Sequence, residues 1–237
     1  MSETSHAHGA DGRLIVPLDL PDASQALRLV ERLGDAVGFY KVGLELFASG
    51  EGMDLARRLK AQGHSIFLDW KLHDIGTTVE RATSVLASAG CDLLTVHAEP
   101  QVMAAAVAGR KGSSLRVLAV TVMTSLTDVD LAAMGFDCGV EALVERRIRQ
   151  AIEAGCDGVI ASPHEAALAR RMGGPGFLVV TPGVRPDWSA RNDQARAATP
   201  AQALRNGASH IVCGRPITAD PDPRAAALRV AAEMAGA

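Results

Sequence analysis

Eight short apolar runs alternate with eight helix-like stretches along this chain, and that alternation leaves few folds open. The runs fall at 14–19, 39–43, 65–69, 93–97, 116–121, 158–161, 178–181 and 211–214. They are near-continuous in Val, Ile, Leu and Phe, the pattern of strands covered on both faces. Amphipathic or Ala-rich stretches predict helices near 23–33, 46–61, 77–88, 100–108, 140–154, 164–171, 200–206 and 223–235. Gly just past a helix recurs in Gln62-Gly63-His64, Ala89-Gly90-Cys91-Asp92, Ala154-Gly155-Cys156-Asp157 and Asn206-Gly207-Ala208. Such a Gly takes a left-handed C-cap at little steric cost. Helix starts are marked by Asp22 before Ala23, by Thr199-Pro200 and by Asp222-Pro223. Strand–helix units repeated eight times build a closed parallel sheet.

The chain is therefore read as an α/β protein with a single (β/α)8 TIM barrel over residues 13–237. Its 237 residues, 48% hydrophobic and 22% charged, suit one such domain. Residues 1–12 form a polar leader with His6 and His8 and no apolar run of the secretory kind. Net charge is −3 and the basic residues are scattered, so no nucleic-acid footprint is present. Aromatics at 3% also argue against base-stacking platforms. No apolar run approaches membrane-spanning length. Cys91, Cys138, Cys156 and Cys213 are far apart without a CxxC, which predicts reduced thiols in a cytoplasmic protein rather than a disulfide or zinc site.

In a parallel barrel the chemistry sits where strands end. Strand 1 delivers Asp19 there and strand 2 delivers Lys41. Strand 3 delivers Asp69 and Lys71, with Asp74 just beyond. Strand 4 delivers His97, strand 5 Thr121 and Thr124, strand 7 Arg185 and strand 8 Arg215. Strand period places Asp69 and Lys71 on one face. Ionised groups crowded at a strand end are costly unless paired. Two lysines and three aspartates converging on one end predict a site of alternating charge.

Two segments point to a phosphate. Thr181-Pro182-Gly183-Val184-Arg185-Pro186 follows strand 7, and Gly214-Arg215-Pro216-Ile217 follows strand 8. Loops after these strands are the usual phosphate cradle of the fold. Gly lets backbone N–H approach an anion, and Arg adds a planar donor fork. The longest irregular stretches, 122–139 and 182–198, both follow strands and so belong to the same face.

These pieces together resemble the orotidine 5′-phosphate decarboxylase family. The resemblance rests on Asp19, on Lys41 in Tyr40-Lys41-Val42-Gly43, and on the Asp69-Trp70-Lys71-Leu72-His73-Asp74-Ile75-Gly76-Thr77-Thr78 block. It rests further on the Thr181–Pro186 loop, Asp193-Gln194, and Gly214-Arg215-Pro216-Ile217. The resemblance implies that Lys41, Asp69, Lys71 and Asp74 form a charged network, with Lys71 as proton donor to C6 of the pyrimidine. It implies a homodimer in which Asp74 and Thr78 reach the partner's site. Asp19 and Lys41 would hold ribose hydroxyls, and Asp69 would also border the substrate. Thr124, or its neighbour Ser125, would meet the pyrimidine. Arg185, Gln194, Gly214 and Arg215 would hold the 5′-phosphate. No cofactor and no metal are implied, so the protein's own charges must stabilise the carbanion left by CO2.

Two other functions share part of this pattern. A metal-dependent ribulose- or hexulose-phosphate lyase or aldolase would need a magnesium site from extra carboxylates. A catalytically dead nucleotide-binding regulator would be expected to have lost one of the four charged residues, and all four are present. Among the remaining polar residues, His97 reads as a barrel-lining histidine and His73 as structural. His64 and His210 open strands at the opposite face. Glu45 reads as a helix cap. Arg146, Arg147 and Arg149 read as a solvated helix face.

Overall fold

The computed structural model describes residues 10–189 and 198–237. Most of the leader, and Asp193 and Gln194, lie outside them. Eight strands are β1 Leu14–Pro17, β2 Phe39–Val42, β3 Ser65–Leu72, β4 Leu93–His97, β5 Arg116–Val120, β6 Gly158–Ile160, β7 Leu178–Thr181 and β8 His210–Val212. All pair in parallel and in chain order, and β1 closes onto β8 through Leu14↔Ile211 and Ile15↔Val212. The helices are α1 Ala23–Leu33, α2 Leu44–Ala48, α3 Gly52–Ala61, α4 Gly76–Ser88, α5 Pro100–Gly109 and α6 Asp128–Ala133. They continue with α7 Val140–Glu153, α8 Ala166–Gly173, α9 Pro200–Arg205, α10 Arg215–Thr218 and α11 Pro223–Ala235. The expected (β/α)8 barrel is thus what the chain forms.

Strand parity divides the core in two. Ile15, Phe39, Phe67, Leu93, Leu118, Leu178, Val180 and Val212 point inward and fill the barrel. Their neighbours Val16, Tyr40, Ile66, Leu68 and Leu94 point outward and meet the helices. Truncating a packed aromatic such as Phe67, 1% exposed, costs about 3–5 kcal/mol in sites of this kind. His64 and His210 sit at the N-terminal face, edge-on to Tyr40 and Phe39.

Local signals are realised at the helix ends. The side chains of Asp22, Thr199 and Asp222 accept from Gln25, Gln202 and Ala225 backbone N–H groups. Gly63, Gly90, Gly155 and Gly207 all have positive φ, between 72° and 102°. All four cysteines are unpaired. Burial pushes the Cys91 thiol up to about 11 and those of Cys156 and Cys213 up to about 12. No described helix is long and apolar enough to cross a membrane.

Four expectations are revised. The helix expected over 46–61 is two, broken at Gly50, whose φ is +83°; the break seats Gly52 against the Leu46 carbonyl. The stretch 122–139 contains α6, started by a Thr127/Asp130 capping box. The strand expected to end at Asp69 runs on to Leu72, with a register shift against β4 between Leu68 and Leu72. Arg147 does not belong to a solvated face: its side chain is 16% exposed and donates to the Thr121 carbonyl and to Glu99.

Candidate active site

The C-terminal rim of β1–β4 carries a continuous chain of ions. Lys41 Nζ lies 2.9 Å from Asp19 Oδ1 and 3.3 Å from Asp69 Oδ2. Asp69 Oδ1 lies 2.7 Å from Lys71 Nζ. Lys41 and Asp69 keep only 10% and 15% of their side chains exposed, Lys71 26% and Asp19 53%. Burial alone opposes ionisation of Asp69; Lys41, Lys71 and Thr95 outweigh it and hold the carboxyl below its ordinary range. Gly43 is required by this geometry. A Cβ there would collide with Asp19 Oδ1 and Lys41 Nζ.

Lys71 has φ +48°, the left-handed region that side chains other than Gly rarely enter. Such backbone costs on the order of 1–3 kcal/mol and persists where its surroundings fix it. Thr95 of β4 is the fixing group. Its Oγ1 accepts from Lys71 N at 3.0 Å and donates to Asp69 Oδ1 at 3.0 Å. One hydroxyl therefore holds both the lysine's backbone and the aspartate's carboxylate. Sequence reading missed it. The available signal was parity: Thr95 is the polar residue one step above Leu93 on the inward face.

Asp74 does not join this network within the chain. Its Oδ1 accepts from Ile75 N at 2.6 Å, and Asp74 and Thr78 are both exposed. The expectation that three aspartates gather at one chain's site is therefore met by Asp19 and Asp69 only.

Inside the ion chain lies a cavity of 240 Å³. Lys41, Asp69 and Lys71 border one side. Phe67, Val120, Ile160 and Val212 line it from within the barrel, and Val122 and Pro182 border it too. Thr124 and Ser125 both line it, so either hydroxyl can meet a ligand there. Arg185 borders a separate recess of 150 Å³ with Thr199 and Gln202. It is 7% exposed, and its backbone N donates to Ala198 O at 2.9 Å, tying the two stems of the loop after β7. Gly214 precedes α10 as its N-cap, and exposed Arg215 begins that helix. Gln194 lies outside the described residues.

A second polar group flanks the site. The His73 and His97 rings stand 5.0 Å apart, and His73 Nε2 is 3.5 Å from Glu99 Oε2. Burial is the main cause that lowers the His97 pKa below the ordinary imidazole value. Glu45 sits in the first turn of α2, where its charge suits the helix N-terminus, while Gly43 occupies the cap position. Among the described residues no group of three His, Cys, Asp or Glu side chains is placed to hold a metal.

The cavity sets two ammonium groups and a carboxylate against apolar walls and two hydroxyls, a lining that suits a small polar anion. Known proteins resemble this chain in sequence and in fold. Residues 12–230 match the model of the family described as Orotidine 5′-phosphate decarboxylase / HUMPS. A protein named orotidine 5′-phosphate decarboxylase from Caulobacter sp. (strain K31) is 70% identical over 227 residues, 96% of this chain and 99% of that one. One of the same name from Rhodopseudomonas palustris (strain BisA53) is 52% identical over 228 residues, 96% of this chain and 97% of that one. The crystal structure of orotidine 5′-phosphate decarboxylase from Lactobacillus acidophilus superposes with a TM-score of 0.83 at 38% identity, covering 94% of this chain and 99% of that one. With fold, rim and full-length similarity in agreement, this chain belongs to the orotidine 5′-phosphate decarboxylase / HUMPS family.

Proposed function

We propose that this chain is a carboxy-lyase that decarboxylates orotidine 5′-phosphate to UMP and CO2, in pyrimidine biosynthesis, with no cofactor or metal. The observation that carries the reading is the Asp19–Lys41–Asp69–Lys71 ion chain around the 240 Å³ cavity. The names of the relatives supply the substrate.

The C6–carboxylate bond breaks and its electron pair stays on C6 as CO2 leaves. The Lys71 ammonium stabilises that pair and then transfers a proton to C6, leaving a neutral amine that solvent reprotonates. Asp69 holds the ammonium at 2.7 Å, and in this reading its charge also repels the substrate carboxylate. At 4 Å and an effective dielectric near 20, one such charge pair is worth roughly 4 kcal/mol. Stabilising the carbanion is the larger contribution, because it grows only as charge develops. Asp19 and Lys41 hold the ribose hydroxyls, and Thr124 or Ser125 the pyrimidine. Arg185, Gln194, Gly214 and Arg215 hold the 5′-phosphate.

The working form in this reading is a cytoplasmic homodimer. Asp74 and Thr78 project beside Ile75, which is 68% exposed, and they complete the partner's site. Mixing inactive Lys71→Ala with inactive Asp74→Asn tests this. Each mixed dimer would hold one site with both residues intact, so activity returns on mixing; no recovery after subunit exchange rules out sharing across the interface. The activity itself is tested by loss of orotidylate absorbance in buffer with EDTA. Turnover that needs an added divalent ion would favour the metal-dependent lyase instead.

A further inference from the structure

The loop after β7 begins with a turn whose purpose the reaction does not explain. Ser189 N and Ser189 Oγ both contact Pro186 O, at 3.0 Å and 3.1 Å, closing a turn over residues 186–189. That turn presents Trp188 to α11, the last helix of the barrel. The Trp188 indole N–H donates to Glu233 Oε1 at 2.9 Å. The Arg229 guanidinium carbon stands 3.9 Å from the centroid of the Trp188 ring. Arg229 is itself held by Asp220, 2.9 Å away in the segment between α10 and α11. An exposed tryptophan thus has a donor bond, a cation over its face, and a second-tier carboxylate fixing the cation. Three residues earlier stands Arg185, bonded through its backbone N to Ala198 O.

We propose that Trp188 is a positioning residue for the phosphate-binding arginine Arg185, with Glu233 and Arg229 of α11 as its clamp. The inference rests on the proposed reading of Arg185 as a phosphate ligand. α11 is one of the longer helices, and its inner residues Ala226, Ala227 and Val230 are buried against the barrel. Docking the turn to α11 transfers that rigidity to the stem, so less freedom is lost when a phosphate arrives. The bond from Trp188 needs only an acceptor at position 233, whereas the stack needs a flat ring at 188 and a cation at 229.

The effect is selective for phosphate. Trp188→Ala is expected to raise KM for orotidylate by on the order of tenfold, with kcat within about twofold of wild type. It should leave kcat/KM for orotidine, which lacks the phosphate, unchanged. Trp188→Phe keeps a ring under Arg229 and should show a smaller rise. Glu233→Gln keeps a carbonyl acceptor and should be near wild type. Calorimetric Kd for UMP reads the same stem without turnover and should weaken by a similar factor in Trp188→Ala and Arg229→Ala. An unchanged Kd for UMP in folded Trp188→Ala, or equal losses on orotidylate and orotidine, overturns the clamp. Wild type that binds UMP but releases no CO2 from orotidylate would instead overturn the activity, and the UMP comparison would still decide the clamp.

Discussion

The two halves of the barrel mouth are built differently. On the β1–β4 side, Lys41, Asp69, Lys71 and Thr95 are strand residues, and Asp19 lies two residues past β1. Each is held by the next through contacts of 2.7 to 3.3 Å. On the β5–β8 side, the strands offer apolar walls such as Val120, Ile160 and Val212, and polar groups come from the following loops. Thr124, Arg185 and Arg215 all lie beyond their strands. Charge that must await a developing carbanion gains from a scaffold that cannot relax. Groups that recognise a remote phosphate can sit on segments whose ordering is driven by binding.

The sharpest way to break this contrast is to remove the strand-borne lysine proposed as the proton donor. Lys71→Ala should lower kcat by about 10²-fold or more while UMP still binds, since general-acid roles carry at least that much. Retention of more than about a tenth of wild-type turnover would move the chemistry off the β3 rim. On the opposite side, Arg185→Ala should lower kcat/KM for orotidylate by about 10- to 100-fold, the range for one lost charged hydrogen bond. Its circular dichroism should match wild type. A fall equally large for phosphate-free orotidine would mean that the loop side also shapes the chemistry.

The same division explains what the sequence disclosed. Inward-facing Asp19, Lys41, Asp69 and Lys71 were legible because strand parity and parallel topology fix which side chains reach the mouth. Capping residues such as Asp22, Thr199 and Asp222 were legible because their bonds are local. Thr95 was legible only in part: parity turns its hydroxyl inward, but its two partners appear only when β3 bulges beside it. Arg147 was misread for a related reason: its charge suggests solvent, and only the fold places the Thr121 carbonyl and Glu99 above it. The gap between Arg185 and the 240 Å³ cavity is likewise a property of loop path, which no periodicity encodes.

Thr95 offers a finer test of strand-side rigidity. Thr95→Val keeps shape but removes the acceptor for Lys71 N and the donor to Asp69. Leaving a buried N–H unpaired costs about 1–3 kcal/mol, so both stability and kcat should fall, the latter by roughly tenfold. Thr95→Ser retains the hydroxyl and should recover most of the loss. If Val and Ser behave alike, the left-handed backbone at Lys71 is fixed by something other than this bond.

The smallest expected effect separates the halves by pH. In the folded chain Asp69 has its pKa held below the ordinary carboxylate value, chiefly by Lys41 and Lys71 against the opposing pull of burial. The unfolded chain therefore takes up the Asp69 proton first as pH falls. Stability from this group is fully present above about pH 5, declines through the ordinary range near pH 4, and is gone below the folded pKa. Asp69→Asn has no proton to exchange there. Urea midpoints measured from pH 7 to pH 3 should consequently fall more steeply for wild type than for Asp69→Asn, and the two curves should approach each other in acid. Thr124→Ala, which removes an uncharged side chain on the loop side, should instead run parallel to wild type. Parallel curves for Asp69→Asn would mean that the rim ions do not contribute to folding, and that their arrangement is upheld by the rest of the barrel alone.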